Sequence, residues 1–415
     1  MVSEWISGGA SPELSAENYM EGSPLDRNIF FALIVMAFVI VIKRGISVAA
    51  IIENNRWMGV FLLFGALSIA WSDFPSVSFK RYVKELGNLL MVLVVLSEKS
   101  RVDAIRTILN RCAYVLIPLS VVLFKYYPNL GRSYSRWTGD LFVTGVTNNK
   151  NSLGVLCAVC GIAIAWNIVS SWRRHRIGIG EMRTCVQLLM LGVTVWVLTM
   201  AKSATSIACF GVGVFILVVG GIRTVRRNIA AYAFGVLGLL FIMAIAGGGV
   251  LSMTTGTLGR DDTLTGRTEV WQKVVEMVRN PLIGGGYGSF WLGERLETLW
   301  DEYQWHPTEA HNGYLEVFLD LGFVGVILMF GIIASAFRRV LEQVRGDVEY
   351  GLLRLAMLVA AILYNVTESA FRPGLLMYFM FVLAVVRLPE SGTMRAGAEE
   401  LRGFSLARGT RLLRQ

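Results

Sequence analysis

The sequence predicts an all-α fold, a polytopic transmembrane helix bundle, and three observations carry that expectation. Hydrophobic residues fill 54% of the 415 positions and charged residues only 17%, where a soluble domain carries about 25% charged residues. The mean hydropathy is +0.56. The apolar residues also come in long blocks, many of them near the roughly 20 residues that a helix needs to cross hydrocarbon. Lipid offers no partner for free backbone N–H and C=O groups, so an open sheet is excluded and the blocks read as helices. Five Cys in the whole chain exclude a small disulfide scaffold, and the apolar blocks exclude disorder and a collagen-like repeat.

In chain order, spans are expected near 29–42, 57–71, 86–97, 108–124, 152–171, 185–201, 203–222, 229–251, 313–336, 352–371 and 374–387. That makes about eleven, or twelve if Gly45 to Ile52 forms a broken or re-entrant segment. The chain then divides into an outer N-terminal segment 1–28, a first bundle part 29–251 of about eight spans, a large outer loop 252–312, a second bundle part 313–387 of about three spans, and a basic tail 388–415.

Orientation follows from Lys and Arg, which concentrate in loops kept in the cytoplasm. Clusters at Lys43/Arg44/Arg56, Lys99/Arg101/Arg106/Arg111, Arg173/Arg174/Arg176/Arg183, Arg223/Arg226/Arg227 and Arg338/Arg339/Arg345/Arg354, with six Arg from Arg387 to Arg414, place 24 of the 39 cations on one face. That face is expected to be cytoplasmic, with the N-terminus outside and the C-terminus inside. Residues 1–28 agree, holding five acids against Arg27 and lacking the basic start of a signal peptide. Two outer loops break the charge rule, with Lys80, Arg81 and Lys84 in one and Lys125, Arg132, Arg136 and Lys150 in the other. Either short loops tolerate these charges, or the topology slips by one span, or they line a basic cleft for an anionic ligand. In the last reading Lys150 and Arg136 are candidate diphosphate-binding residues.

The outer loop 252–312 has five basic and nine acidic residues and holds two of the three His, His306 and His311. His311 precedes Asn312-Gly313 and an apolar run, so its imidazole should lie near the interface. There it either transfers a proton or simply caps a helix start. His306 and His311 lack a third clustered ligand or a nearby Cys, which argues against zinc, and no metal is expected. Val270, Trp271, Val274, Val275 and Val278 recur at helical spacing opposite polar residues, which predicts a short amphipathic helix ending at Asn280-Pro281, its apolar face on the bundle or the lipid. Arg267 sits at its N-terminus, where guanidinium and free N–H groups both favour an anion, although a surface Arg is the commoner case. Arg260 is a second, less specific candidate. Gly284-Gly285-Gly286-Tyr287-Gly288 lacks the strand and the Lys-Ser/Thr of a nucleotide loop and reads as a flexible turn. Cys157-x2-Cys160 lies within an apolar helix and reads as inert packing. Lys202, between two apolar spans, either snorkels to water or points into the cleft.

These pieces resemble the O-antigen ligase and Wzy-type polysaccharide polymerase superfamily, and within it the exopolysaccharide polymerases of Gram-negative bacteria. The resemblance rests on Trp71-Ser72-Asp73-Phe74-Pro75, Thr147-Asn148-Asn149-Lys150-Asn151-Ser152-Leu153-Gly154, the Ser/Thr-rich turn around Lys202, and Gly266-Arg267-x3-Trp271. It continues through Pro281-Leu282-Ile283-Gly284-x-Gly286, Ala310-His311-Asn312-Gly313-Tyr314-Leu315-Glu316 and Leu321-Gly322, in that order around one large outer loop. It implies a metal-independent, inverting glycosyltransferase without cofactor, acting on undecaprenyl-diphosphate-linked oligosaccharide donor and acceptor at the periplasmic face of the inner membrane. By that resemblance Arg267 binds the diphosphate and His311 acts as base or positioner for the acceptor hydroxyl. Lys202 takes the place of a cleft Arg, a departure because Lys lacks the planar bidentate fork. Asn312, Trp271 and Glu309 are supporting candidates. A chain-length co-polymerase and a flippase are candidate partners alongside the bilayer, and nucleic acid is not one.

Polymerase is favoured over a ligase that passes a finished glycan to lipid A core or a protein, because Trp71-Ser72-Asp73 and Tyr364-Asn365-Val366-Thr367-Glu368-Ser369 resemble the exopolysaccharide branch. A transporter or flippase would place ionisable residues near the midplane and show paired repeats. Here most charges collect at span ends, with Glu316, Asp320 and Glu368 the main exceptions, and the two halves show no obvious similarity.

Overall fold

The computed structural model describes residues 23–134, 139, 141–174, 182–228, 231, 235, 238 and 265–388. Its helices are α1 (Pro24–Lys43), α2 (Val48–Asn54), α3 (Arg56–Leu67), α4 (Pro75–Leu96), α5 (Arg101–Tyr126), α6 (Pro128–Gly131), α7 (Lys150–Arg173), α8 (Met182–Met200) and α9 (Ala204–Val219). They continue with α10 (Arg223–Arg227), α11 (Thr265–Glu276), α12 (Glu294–Glu302), α13 (Gly313–Gly346), α14 (Val348–Thr367) and α15 (Leu376–Val385). Six of them, α1, α5, α7, α8, α13 and α14, are long and apolar enough to cross a membrane, and Arg56–Trp71, α9 and α15 are shorter apolar helices. The protein is thus an all-α, multi-pass membrane protein. The expected span 229–251 lies outside the described residues apart from 231, 235 and 238.

Local sequence sets the helix ends. Ser23, Ser47, Asn149, Asn312 and Asp347 each accept a backbone N–H of the first turn through their side chains, satisfying donors that a helix start leaves open. Pro24 and Pro75 occupy the first turns of α1 and α4, where the missing N–H costs nothing. α4 begins eleven residues before the expected span at 86, so Lys80, Arg81 and Lys84 ride on its first turns instead of lying in a loop. Gly45 to Ile52 is not a separate span, since it leads into the seven-residue α2. One antiparallel ribbon interrupts the helices, β1 (Arg132–Tyr134) on β2 (Leu141–Val143), with Arg132 opposite Val143.

Of the six long helices, α7 and α14 are the most enclosed, 83% and 78% buried over their apolar windows, whereas α1 is 11% buried and presents Phe31, Met36, Phe38 and Ile42 outward. That distribution suits a bundle in lipid, where outward apolar side chains meet acyl tails. A single large core joins α3, α4, α7 and α9 to α13, α14 and α15, so the two halves of the chain pack as one bundle. Small residues draw α7 and α9 together: a Cβ on Gly154 would collide with Ser203 and Ser206, and one on Gly213 with Ile162. The ends of α7, α9, α13 and α14 that lie nearest the 265–312 segment meet on one side, joined by Asn151 to Glu368 and Thr205 to Thr367.

α13 is broken at Gly322, whose φ of 63° and ψ of −163° interrupt the helix. The break exposes main-chain groups on both sides, and the segment Pro281–Gly286 satisfies them. Gly285 and Gly286 donate to Leu319 and Asp320 carbonyls at 3.0 and 2.8 Å, while Phe323 and Val324 donate to Pro281 and Leu282 carbonyls at 2.8 and 3.1 Å. Irregular backbone at the membrane edge survives only with such partners. Gly284 and Gly322 both have positive φ and approach facing backbone so closely that a Cβ would collide with it. The glycine run is therefore a fixed docking segment rather than the flexible turn expected from sequence. The buried Glu85 anchors the neighbouring stretch, accepting from Tyr287 at 2.9 Å. Burial, with that carboxylate beside it, pushes the Tyr287 phenol well above its ordinary range, so it stays a donor.

Candidate active site at the loop-bearing end

The amphipathic helix predicted around Val270 is α11, and its Val270 and Val274 are fully buried. They rest on a small core made with Phe290, Trp291, Leu296, Leu299, Ala310 and Leu319. The apolar face is thus covered mainly by the loop itself and the first turns of α13, and Val275 stays 45% exposed. The Gly-Arg-x3-Trp spacing has a direct cause. Residues four apart share a helix face, and Trp271 donates from Nε1 to the Ala310 carbonyl at 2.6 Å. This fixes α11 against the strand that carries His311, and Arg267, one turn earlier, points the same way.

Two short non-helical stretches, residues 310–312 and 368–370, lie side by side. Gly313 N donates to the Glu368 carbonyl at 3.1 Å, and Asn312 N donates to Ser369 Oγ at 3.0 Å. Gly313 needs to be glycine, because a Cβ would collide with the Asn365 side chain. Buried Glu316 clamps the pair, with Oε1 accepting from Ala310 N at 2.5 Å and Ser369 Oγ at 3.4 Å, and Oε2 from Trp291 Nε1 at 2.9 Å. Asn312 caps α13 by accepting from Tyr314 and Leu315 N–H groups at 3.0 and 3.1 Å. His311 is held at φ 50°, one of three non-glycine residues with positive φ among the described residues, the others being Lys202 and His306. Such strained backbone persists where surrounding contacts impose it.

Glu368 is the centre of the resulting cluster. Its Oε2 lies 3.2 Å from His311 Nδ1, and its Oε1 accepts from Asn151 Nδ2 at 2.9 Å and lies 3.7 Å from Arg267 Nη2. Arg267 Nη1 donates to the Thr367 carbonyl at 2.8 Å. Glu309 approaches His311 Nδ1 at 3.1 Å and pairs through its other oxygen with Arg372. With carboxylates facing Nδ1, the proton belongs on that nitrogen and Nε2 is left as an acceptor. Glu309, His311 and Glu368 bring their ligand atoms within 4.8 Å of one another. The pair His306 and His311 is thus not a cluster, but His311 has two further potential ligands that the sequence reading of that pair does not include. The two carboxylates are, however, already matched by Arg267 and Arg372.

Of the residues singled out in the sequence, Arg267, His311, Glu309, Asn312 and Trp271 come together here. Lys202 is exposed and its ammonium makes no ion pair among the described residues, although Thr205, three residues on, bonds Thr367 beside the site. Lys150 lies at the start of α7 with its ammonium 4.1 Å over the Phe142 ring, and its neighbour Asn151 reaches the cluster. Arg136 and Arg260 lie outside the described residues. His306 stacks on Trp300 at 5.0 Å and takes no part. Glu368, Arg372 and Asn151 were not among the candidates. The sequence shows Glu368 within the Tyr364–Ser369 resemblance and as an acid inside the apolar run 352–371, without a role, but α14 ends at Thr367, so it stands at a helix end.

A groove of about 1230 Å³ starts beside Asn312, Thr205 and Thr367 and follows α9, α13 and α14 past Phe330 and Phe337 to Arg338 and Arg345. Its middle is apolar and its far end basic.

The family model for the O-antigen ligase matches residues 187–330, which include Arg267 and His311. The chain is also 26% identical over 301 residues to the exopolysaccharide production protein ExoQ of Rhizobium meliloti (strain 1021). That stretch covers 70% of this chain and 66% of the relative, just under two thirds of its length. Together with the ordered motifs around the loop, these matches make the chain similar to the O-antigen ligase and Wzy-type superfamily, including a relative named for exopolysaccharide production.

Proposed function

We propose that the protein is an exopolysaccharide polymerase that joins undecaprenyl-diphosphate-linked oligosaccharide repeat units at the periplasmic face of the inner membrane, with the basic helix ends and tail in the cytoplasm. The observation that carries this reading is the meeting of Arg267 and His311 on one carboxylate, Glu368, at the head of an apolar groove. His311 Nε2 takes the proton of an acceptor hydroxyl while Glu368 and Glu309 steady the ring through Nδ1. The hydroxyl oxygen bonds to the anomeric carbon of the donor sugar from the face opposite the diphosphate. The carbon–oxygen bond to the diphosphate breaks, and its electron pair leaves with the lipid diphosphate, which Arg267 stabilises. Anomeric configuration inverts in the single displacement. The polyprenyl chain lies in the groove between α9, α13 and α14, whose apolar middle suits it.

The guanidiniums on Glu368 and Glu309 favour catalysis without a metal ion, since a cation at those oxygens would have to displace Arg267 and Arg372. Chain growth should therefore persist in EDTA. The decisive assay is purified protein with a synthetic lipid-diphosphate oligosaccharide, followed by sizing of the product. Chains longer than the starting unit support the polymerase. The ligase reading predicts none, and predicts that a deletion strain accumulates long chains on the carrier lipid, whereas loss of a polymerase leaves single repeat units.

A further inference from the structure

A second cavity, of about 250 Å³, shares no lining residue with the groove. It is walled by Arg81, Tyr287, Trp291, Glu316, Asp320 and Arg372, and Lys84 stands at its exposed rim. An apolar cavity of about 150 Å³ accommodates benzene, so this one has room for a six-membered sugar ring with hydroxyls. Its chemistry disfavours the other parts of the substrate. The two carboxylates face three cations, of which Arg81 already bonds the Gly288 carbonyl and Arg372 pairs with Glu309, so the nearly balanced site offers a diphosphate little net attraction, and the polar groups oppose a polyprenyl chain. A neutral polyol fits both demands, because aromatic rings pack on its C–H face while carboxylates accept from, and a guanidinium donates to, its hydroxyls.

The cavity is tied to the catalytic strands by two of its own walls. Glu316 accepts from Ala310 N and Ser369 Oγ, the neighbours of His311 and Glu368. Arg372 pairs with Glu309, which faces His311 Nδ1. We propose that this cavity is the subsite for a sugar ring of the acceptor glycan, seated so that the adjoining residue presents its hydroxyl to His311. The assignment rests on the polymerase reading, with the donor lipid in the groove and the acceptor in this cavity.

The test uses the full-length protein in lipid nanodiscs and, as probe, the repeat-unit oligosaccharide released from the host's own exopolysaccharide, free of lipid and phosphate. Binding is followed by saturation-transfer NMR, with inorganic pyrophosphate as competitor. The wild type and Arg267→Ala should bind alike, and pyrophosphate should not displace the sugar. Val317→Phe fills the cavity from within, and Lys84→Phe obstructs it from the exposed rim; each should weaken binding at least tenfold. Lys84→Phe decides alone if Val317→Phe does not fold. Absence of saturable binding by the wild type, displacement by pyrophosphate, or undiminished binding in Lys84→Phe overturns the subsite. Failure of the polymerase reading registers separately, as a wild type that binds the oligosaccharide but extends no lipid-linked chain.

Discussion

Arg354 and Arg267, at opposite ends of the bundle, use their guanidiniums in opposite ways. At the end away from the 265–312 segment, guanidiniums are spent on closing the structure. Arg354 is buried, donates to the Ala384 carbonyl at 2.9 Å and also bonds Gln343. Arg339 reaches the Asn54 and Val385 carbonyls, and Arg106 and Arg174 converge on Glu349. These contacts satisfy helix C-termini and one carboxylate. At the loop-bearing end, Arg267 fixes one carbonyl and stands 3.7 Å from Glu368, beyond a tight hydrogen bond, with its side chain 21% exposed. A guanidinium carries five donors, so much of that capacity remains for a ligand. Ionic groups fully used by the fold maintain it, and those held but incompletely used can act on a substrate.

The comparison is most easily broken at its two extremes. Arg267→Ala and His311→Ala should each lower chain growth by about 10²-fold or more, the usual effect of losing one transition-state contact, while membrane abundance by immunoblot stays normal. Full-length polymer from either variant would remove that residue from the mechanism. Glu368→Gln should follow, with turnover in the chain-growth assay reduced by about 10² because His311 loses the charge that orients its proton. Gly322→Ala should lower thermal stability in detergent, since left-handed backbone alone costs an alanine about 1–3 kcal/mol. Arg354→Ala should destabilise by about 2 kcal/mol through lost charged hydrogen bonds, yet leave turnover per folded molecule unchanged. A loss of turnover there would merge the two ends into one system. The smallest effect is expected for Lys273→Gln, whose partner Glu302 is exposed; its melting curve should overlay that of the wild type.

The sequence reveals the bundle because lipid enforces long apolar helices, and it points to Arg267 and His311 because few cations and imidazoles occur in a large acidic loop. It hides Glu368 for a physical reason: apolar residues continue beyond the end of α14, so hydropathy alone runs the helix past Thr367 and seems to bury the acid in hydrocarbon. Asn151 and Arg372 are equally hidden, since their meeting with the cluster is set by how α7 and the post-α14 turn pack rather than by any local pattern. The basic cleft expected from Lys80, Arg81 and Lys84 takes a different form. Arg81 bonds the Gly288 carbonyl and Lys84 rims a cavity that also contains Glu316 and Asp320, so that site is mixed in charge rather than an anion funnel.

On the proposed function, the break in α13 bears on how the protein can change its sugar. Four main-chain hydrogen bonds join the Pro281–Gly286 segment to both sides of Gly322, and the His311 strand continues directly into the part of α13 that they hold. Main-chain atoms are common to every amino acid, so drift at Leu282, Ile283, Leu319, Phe323 or Val324 leaves this framework in place as long as packing volume is kept. Side chains facing the glycan can then be exchanged against a scaffold that does not move, and a new repeat unit can be accommodated without rebuilding the chemistry beside it.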